Sequence, residues 1–227
     1  MFLKATDISR SYALGGRQVH ALEKVSLEVA ESDFLIVTGP SGSGKSTLLN
    51  ILSGFDHPTT GDVEYKGNSL FIPGKLDVAR VRNSSFGFIY QTPHLIADKT
   101  VLENVALAFH YGEWVERKEV ERRCSQLLDY VGLGNLIDRH PATLSGGEMQ
   151  RVVFARALAR EPDIIFADEP TGSLDENNSK NILGMLKQQT RQGRAVVMVT
   201  HEADAISYGT SYLSLQKARA GVSEVSG

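Results

Sequence analysis

The sequence predicts an α/β fold: a parallel-sheet core, an N-terminal antiparallel β layer and an inserted helical segment. Three observations predict it. A glycine-rich loop lies between two apolar stretches, residues 34–37 and 47–52. Two more apolar runs of strand length, residues 164–167 and 195–200, each end in polar residues, as strands buried on both faces of a parallel sheet do. Between about residues 91 and 160 the pattern is helical instead.

The predicted organisation is a single domain of 227 residues. Residues 1–33 form the antiparallel layer, where Val25, Leu27 and Val29 alternate with polar residues as in a half-buried strand. Residues 34–90 and 161–227 form the parallel core, and residues 91–160 the helical subdomain. Neither an internal repeat nor a low-complexity linker interrupts this order.

The helical subdomain contains two amphipathic stretches, residues 102–109 and 115–132. In the second, charged residues cover the outer face, while Leu127, Leu128 and Val131 form the inner face. The single cysteine, Cys124, lies in this stretch and is predicted to be a packing residue. One cysteine excludes an intramolecular disulfide and is typical of a reducing compartment.

The glycine-rich loop, residues 39–46, fits the pattern GxxxxGK[ST]. Such glycines let successive backbone N–H groups curl around a phosphate, and the following helix N-terminus adds about half a positive charge. A merely flexible loop would not require a Lys-Ser pair at the mouth of a helix. We predict that Lys45 reaches the β- and γ-phosphates of a nucleotide and that Ser46 binds Mg²⁺. The predicted nucleotide-binding residues here are Gly39, Pro40, Ser41, Gly42, Ser43, Gly44, Lys45, Ser46 and Thr47.

Two carboxylates, Asp168 and Glu169, follow the apolar run 164–167. Open α/β sheets bind ligands at the carboxyl ends of their strands. We expect Asp168 to hold the metal beside Ser46, and Glu169, on the opposite face of the pleat, to polarise a water in line with the γ-phosphate. The alternative is a solvated acidic turn closed by Pro170, but the upstream phosphate loop favours the catalytic interpretation.

The run Leu-Ser-Gly-Gly-Glu-Met-Gln-Arg at residues 144–151 precedes a helical pattern. Ser145 and Glu148 have the spacing of a capping box, which explains those two residues structurally. Gly146 and Gly147 would weaken the helix, which makes sense if the backbone there approaches a phosphate closely. We expect both interpretations to hold.

This run resembles the signature motif of ATP-binding cassette (ABC) ATPases, whose order of motifs matches over nearly the whole chain. The resemblance implies a P-loop NTPase (RecA-like) core. It also implies that Ser145, Gly146, Gly147 and Glu148 contact ATP on the phosphate loop of a second copy, so that two ATP molecules lie in a head-to-tail homodimer. ATP hydrolysis, Mg²⁺ and a transmembrane permease partner follow from the same resemblance.

Three weaker features match the same family. Gln91 resembles the Q-loop glutamine that contacts Mg²⁺ and the attacking water, although a lone Gln after a strand is usually a solvated loop residue. Asp175 resembles the D-loop residue that crosses to the second cassette, and an Asp capping a helix explains it equally well. His201 resembles the switch histidine at the γ-phosphate, whereas a single His at a strand end is more often structural or exposed.

Tyr12 lies in a candidate loop, residues 10–16, and is the predicted adenine platform. An aromatic face there can stack on a base, whereas loop tyrosines are otherwise commonly half-buried anchors. The predicted catalytic residues are thus Lys45, Gln91, Glu169 and His201, and the predicted metal ligands are Ser46, Gln91 and Asp168. The other histidines, of which His20 is one, show no metal-ligand spacing and receive no role.

Composition sets the remaining limits. A formal net charge of −3 gives no electrostatic reason to expect nucleic acid as a partner. The apolar runs are far shorter than the roughly 18 residues of a spanning helix, and the N-terminal residues do not resemble a signal peptide. These features predict a cytoplasmic chain. The resemblance to ABC ATPases further implies that it lies peripherally on the inner face of the cell membrane, which it contacts only through the permease.

Within the ABC family, residues 87–91 and 100–105 look most like the lipoprotein-releasing and macrolide-exporter group. An alternative is a mechanotransmission ATPase of the cell-division type, which uses the same chemistry and moves no substrate. A soluble ABC protein of translation or DNA repair would carry two cassettes or a long coiled-coil insertion. The single set of motifs in 227 residues argues against this alternative. The sequence departs from the family at residues 31–33 and again at 216–220, where the usual Asp-Gly hairpin is missing.

Overall fold

The computed structural model describes residues 1–14 and 17–216 and has the predicted α/β architecture. It contains an antiparallel sheet and a parallel sheet, with helices packed on both faces of the parallel one. The predicted departure at residues 216–220 lies almost wholly outside the described residues.

The antiparallel sheet has four strands in the order β2-β1-β4-β5. Its bounds are β1 Leu3–Leu14, β2 Arg17–Val29, β4 Thr60–Tyr65 and β5 Asn68–Ser69. The sequence prediction confined this layer to residues 1–33 and missed β4 and β5. They join it because β4 pairs with β1 from Leu3 to Ser9, a contact between segments more than 50 residues apart.

The parallel sheet has five strands in the order β6-β7-β8-β3-β9. Its bounds are β3 Phe34–Thr38, β6 Phe86–Tyr90, β7 Ile164–Asp168, β8 Ala195–Val199 and β9 Ser211–Ser214. The central strands β7 and β8 are apolar along nearly their whole length because helices or strands cover both faces. In β7, Ile165 and Ala167 face one core cluster, while Ile164 and Phe166 face the other.

Six α-helices complete the described chain. They are α1 Lys45–Leu52, α2 Val78–Ser85, α3 Val101–Ala106, α4 Arg117–Tyr130, α5 Gly146–Leu158 and α6 Glu176–Thr190. Helix α1 packs between the two sheets, whereas α3, α4, α5 and α6 contribute to the cluster on the opposite face. The predicted stretch 102–109 is α3 followed by a short 3₁₀ turn. Cys124 is fully buried in α4, as predicted.

Candidate nucleotide-binding site

The loop between β3 and α1 folds tightly around its own lysine. Gly44 precedes α1 with a φ of +90°, and a Cβ there would lie 2.2 Å from the carbonyl oxygen of Ala21 on β2, so a side chain is excluded. Lys45 Nζ donates to the carbonyl oxygens of Gly39, at 2.8 Å, and Pro40, at 3.1 Å. This geometry holds a cation inside the loop, where a phosphate could replace the carbonyls as its partner.

Asp168 ends β7 directly beside α1. Burial raises the pKa of its carboxyl, and the hydrogen bond with the Ser46 hydroxyl acts in the opposite direction. A carboxylate oxygen and a hydroxyl oxygen in contact are suitable ligands for Mg²⁺, which binds few protein oxygens and keeps several waters. The predicted partners Ser46 and Asp168 are therefore brought together, and they fit a magnesium ion.

Glu169 has a backbone conformation that few non-glycine residues adopt. Its φ is +45°, and its N–H donates to Val199 O at 3.0 Å, across the neighbouring strand end. Left-handed backbone of this kind costs about 1–3 kcal/mol and is concentrated at functional sites. The sequence prediction treated Glu169 as a continuation of the pleat. The turn instead aims its carboxylate at His201, whose Nδ1 lies 3.2 Å from Oε2.

A cavity of about 710 Å³ connects the phosphate loop with Glu169 and His201. Its described lining residues are Val19, His20, Ala21, Gly39, Pro40, Ser41, Gly42, Gly44, Lys45, Ser46, Thr47, Glu169 and His201. The phosphate loop and the predicted base and switch residue thus share one space. The arrangement can hold an anionic ligand on the loop while Glu169 and His201 face it.

Tyr12 is not in a loop, so the prediction of its local structure is wrong. It lies in β1, opposite Val19 of β2, and its hydroxyl donates to Asp56 at 2.7 Å. The Arg10 guanidinium stands 4.5 Å from the ring centroid and covers one face of the ring. Because cross-strand neighbours project to the same side of a sheet, Tyr12 lies beside the cavity wall that Val19 forms. Its role as adenine platform stays a prediction.

His20 is a cavity residue to which the sequence interpretation gave no role. Its Nδ1 lies 2.8 Å from Ser11 Oγ, and the ring borders the same space as Lys45 and Glu169. A search of the sequence for metal-ligand spacing does not place His20 at the cavity, because the position of this residue depends on how the β1–β2 hairpin packs against the loop. Gly44 approaches Ala21, the residue after His20, at this contact between hairpin and loop.

The run 144–151 forms the predicted N-terminus of α5. Ser145 is the N-cap: Glu148 N donates to Ser145 Oγ at 3.3 Å, and Ser145 N donates to Glu148 Oε2 at 2.7 Å. The Ser145 N–H and the Ser145 hydroxyl both donate to the Glu148 carboxylate and lower its pKa. A Cβ on Gly147 would lie 2.3 Å from Asn178 Oδ1, so a larger residue there would displace the Asn178 amide. For Gly146 the nearest atom is Leu174 Cδ2 at 3.9 Å, which leaves its exposed backbone open to approach.

The remaining predicted residues lie outside the lining of this cavity. Gln91 follows β6, and its Nε2 lies 2.9 Å from where a Cβ on Gly172 would be, next to the segment after Glu169. Asp175 is the N-cap of α6, accepting from Asn178 N at 2.9 Å, so its structural interpretation holds. Ser145, Gly146, Gly147 and Glu148 likewise do not border the cavity of their own chain.

Comparison with known proteins identifies relatives over most of the chain. A family profile described as "ABC transporter" matches residues 22–172. An uncharacterized ABC transporter ATP-binding protein of Thermotoga maritima is 42% identical over 217 residues, which are 96% of this chain and 92% of that protein. The macrolide export ATP-binding/permease protein MacB of Chlorobaculum tepidum is 37% identical over 94% of this chain, which matches 33% of that protein.

Solved structures match at similar coverage. A dimeric ATP-binding cassette in a post-hydrolysis state, bound to ADP and Pi, has a TM-score of 0.86 and 35% identity over 96% of this chain and 97% of that chain. A dimeric bacterial ABC transporter cassette has a TM-score of 0.85 and 36% identity over 95% of this chain and 94% of that chain.

Proposed function

The chain belongs to the ABC transporter family and is an ATP-binding ATPase, and from that premise we propose that it powers a membrane permease by closing on a second copy of itself around two ATP molecules. One observation carries the catalytic part of the proposal. The Ser46–Asp168 contact and the Glu169–His201 pair lie at the phosphate loop, so binding and water activation are available in one place.

We assign the chemistry to residues of this chain as follows. Lys45 and the loop N–H groups hold the phosphates, and Glu169 takes the proton of a water whose oxygen attacks the γ-phosphorus while the bond to the ADP oxygen breaks. His201 orients Glu169 and the γ-phosphate. Ser46 and Asp168, with Gln91 as a further ligand, would hold Mg²⁺, which neutralises the charge that develops on the phosphates.

The second ATP-facing surface is the N-terminus of α5. Ser145 and Gly146 are exposed and do not line their own cavity, and a Cβ added to Gly146 would meet no atom closer than 3.9 Å. A helix N-terminus with free N–H groups favours a phosphate. We propose that these residues, with Gly147, Glu148 and Asp175, complete the site of the second copy, in keeping with the dimeric solved cassettes.

The permease would contact a groove beside β6, which we call the β6 groove. Its volume is about 300 Å³, and its lining includes Phe55, Arg82, Phe88, Arg156 and Arg160. The side chain of Phe55 is 52% exposed and stacks under the Arg82 guanidinium at 4.9 Å. The groove thus offers an apolar floor with cationic walls, which suits an amphipathic permease segment that carries a carboxylate.

Arg156 links the β6 groove to the segment after Gln91. Its guanidinium donates to the carbonyl oxygens of Pro93, at 3.1 Å, and His94, at 3.2 Å. A segment seated in the groove would therefore act on the backbone that leads back to Gln91. In the described residues no helix is both long enough and apolar enough to cross a membrane. On this proposal the chain reaches the membrane through its permease.

The relatives favour a permease of the macrolide-exporter type. Two proteins named for macrolide export are 37% and 41% identical to this chain over most of its length.

A chimera tests whether the chain can drive such a permease: the chain replaces the ATP-binding third of the Chlorobaculum tepidum protein. ATP-dependent extrusion of a macrolide is expected. ATP hydrolysis without extrusion would contradict transport and favour the mechanotransmission alternative.

Mixing two inactive variants tests the shared sites. In Ser145→Arg, the added side chain blocks the ATP of the second copy; in Lys45→Ala, the chain cannot hold its own phosphates. A mixed dimer has one site with both lesions and one with neither, so ATPase activity is expected to return on mixing. Mixed dimers without activity would exclude contact across the interface. The Lys45→Ala variant alone is the negative control.

A further inference from the structure

Gln150, on α5, has a buried side chain that joins the ends of two neighbouring strands. Only 1% of the residue is exposed. Its Nε2 donates to the carbonyl oxygens of Tyr90 and Pro170, both at 2.9 Å. Tyr90 immediately precedes Gln91, and Pro170 immediately follows Glu169. The amide therefore contacts the backbone next to both residues that are assigned to the attacking water.

Chemistry fixes the orientation of this amide. Two carbonyl oxygens require two donors, which the NH₂ group supplies, whereas the flipped amide would set Oε1 against both oxygens. The last pair of the β6–β7 ladder is Tyr90 with Asp168, so Gln150 bridges the two strands just beyond the point where their own pairing stops. The side chain thus sets the spacing between the segments that carry Gln91 and Glu169.

The same helix carries the residues proposed to meet the partner's ATP. Gln150 is five residues from the N-cap Ser145, about 7.5 Å along the helix axis. The first turn of α5 also contacts α6: Gly147 packs against Asn178, whose Oδ1 accepts a hydrogen bond from Arg151 at 3.3 Å. Because α5 is a single helical body, displacement of its N-terminus moves the Gln150 amide as well.

We propose that Gln150, on the helix that meets the partner's ATP, is a positioning residue that holds the segments carrying Gln91 and Glu169 in the geometry needed to hydrolyse the chain's own ATP. This inference rests on the proposed arrangement of shared sites. A defect in this contact is therefore expected to slow hydrolysis at the chain's own site and to leave the partner's site unaffected.

A pair of buried glutamines provides the first test. Gln150→Met keeps the length of the side chain and removes both donors. Gln189→Met is the matched control, because Gln189 is also 1% exposed on a helix and donates to the Tyr130 hydroxyl, at 3.1 Å, outside the site. We expect Gln150→Met to lower kcat about tenfold to a hundredfold, as misplaced catalytic groups do, with the KM for ATP within about twofold. Gln189→Met should leave kcat within about twofold of wild type.

Mixed dimers provide the second test. If Gln150 only stabilised the fold, the effect of its substitution would not depend on which chain carries it. In the Ser145→Arg and Lys45→Ala mixture, the intact site takes Gln91 and Glu169 from the Ser145→Arg chain and its signature helix from the other. Gln150→Met on the Ser145→Arg chain should lower the recovered activity about tenfold or more. The same substitution on the Lys45→Ala chain should leave it within about twofold.

The outcomes separate the two proposals. No recovery in the parental mixture counts against the shared sites, whatever Gln150 does. Recovery that falls equally with either placement of Gln150→Met, or with neither, overturns the positioning role. If Gln150→Met does not fold, Gln150→Asn replaces it, because its shorter amide keeps the donors and cannot reach both carbonyl oxygens. The same criteria then apply.

Discussion

Two substitutions of Tyr12 separate the contribution of its hydroxyl, which the structure shows in a hydrogen bond, from the predicted contribution of its ring. The hydroxyl donates to Asp56 at 2.7 Å, and Arg10 forms two further hydrogen bonds with that carboxylate, at 2.7 and 3.0 Å. The ring is the predicted adenine platform. Tyr12→Phe removes only the hydroxyl, whereas Tyr12→Ala removes both.

The expected magnitudes follow from these contacts. A hydrogen bond to a charged group contributes about 1.5–3 kcal/mol, and partial exposure of this pair reduces the estimate to about 1 kcal/mol. For a domain of this size that lowers Tm by about 2–4 °C in Tyr12→Phe. One lost base stack costs about 1–3 kcal/mol, so Tyr12→Ala should weaken nucleotide binding about tenfold or more. Tyr12→Phe should bind nucleotide like the wild type.

The cost of Tyr12→Phe should also depend on pH. Burial acts to raise the pKa of Asp56, but the hydrogen bonds from Tyr12, the His57 amide and Arg10 outweigh it and lower that pKa. A depressed carboxyl pKa contributes stability above the unfolded pKa, and this contribution is lost as the pH falls through the folded pKa. The difference in Tm between wild type and Tyr12→Phe is therefore expected at pH 7 and should shrink below about pH 4.

Calorimetric titration with ADP measures the binding, because ADP carries the same base and is not hydrolysed. His20→Ala is the comparison variant, since His20 borders the same cavity. Unchanged ADP affinity in Tyr12→Ala would refute the stacking role. If His20→Ala weakened binding in that case, the base would be held by β2 instead.

Three further results are expected. Lys45→Ala should show no ATP binding at micromolar ATP in the same calorimeter, because no side-chain cation remains at the β- and γ-phosphates; wild-type affinity would reject the assignment. Phe55→Asp should keep the basal ATPase rate within about twofold and lose stimulation by the permease, whereas Tyr212→Asp, at the opposite edge of the sheet, should lose neither. Cys124, whose pKa burial raises to about 12, should resist iodoacetamide at pH 8.5, because little of the thiol is ionised there; a mass shift in the native protein would contradict its burial.

The strands of the core were predictable because each is buried on both faces. Continuous apolar runs at residues 164–167 and 195–200 correspond to β7 and β8, and the polar residues that follow them mark the strand ends. The cap of α5 was predictable for a similar reason, since a capping box involves residues only three positions apart. Local physics alone specifies both features.

Contacts between distant segments were not predictable. The sequence interpretation placed a candidate loop at residues 10–16, between two strand patterns. In the structure β1 instead continues through Tyr12, whose hydroxyl bonds to Asp56, 44 residues away. The strands β4 and β5 were missed because β1 selects them as partners from across the sequence. The two carbonyl oxygens that Gln150 binds belong to residues 60 and 20 positions away, so no local sequence pattern predicts these hydrogen bonds.

The most direct test of the central claim is the oligomeric state of Glu169→Gln with ATP. Glutamine keeps the size of the side chain and cannot accept the proton of the attacking water, a loss that typically costs about 10²–10⁴ in rate. Hydrolysis should then be slow while both shared sites still form. Light scattering after gel filtration should give a dimer near twice 24.8 kDa with ATP, and a monomer with ADP or without nucleotide. A variant that binds millimolar ATP as a monomer, or that hydrolyses it at nearly the wild-type rate, would contradict the account.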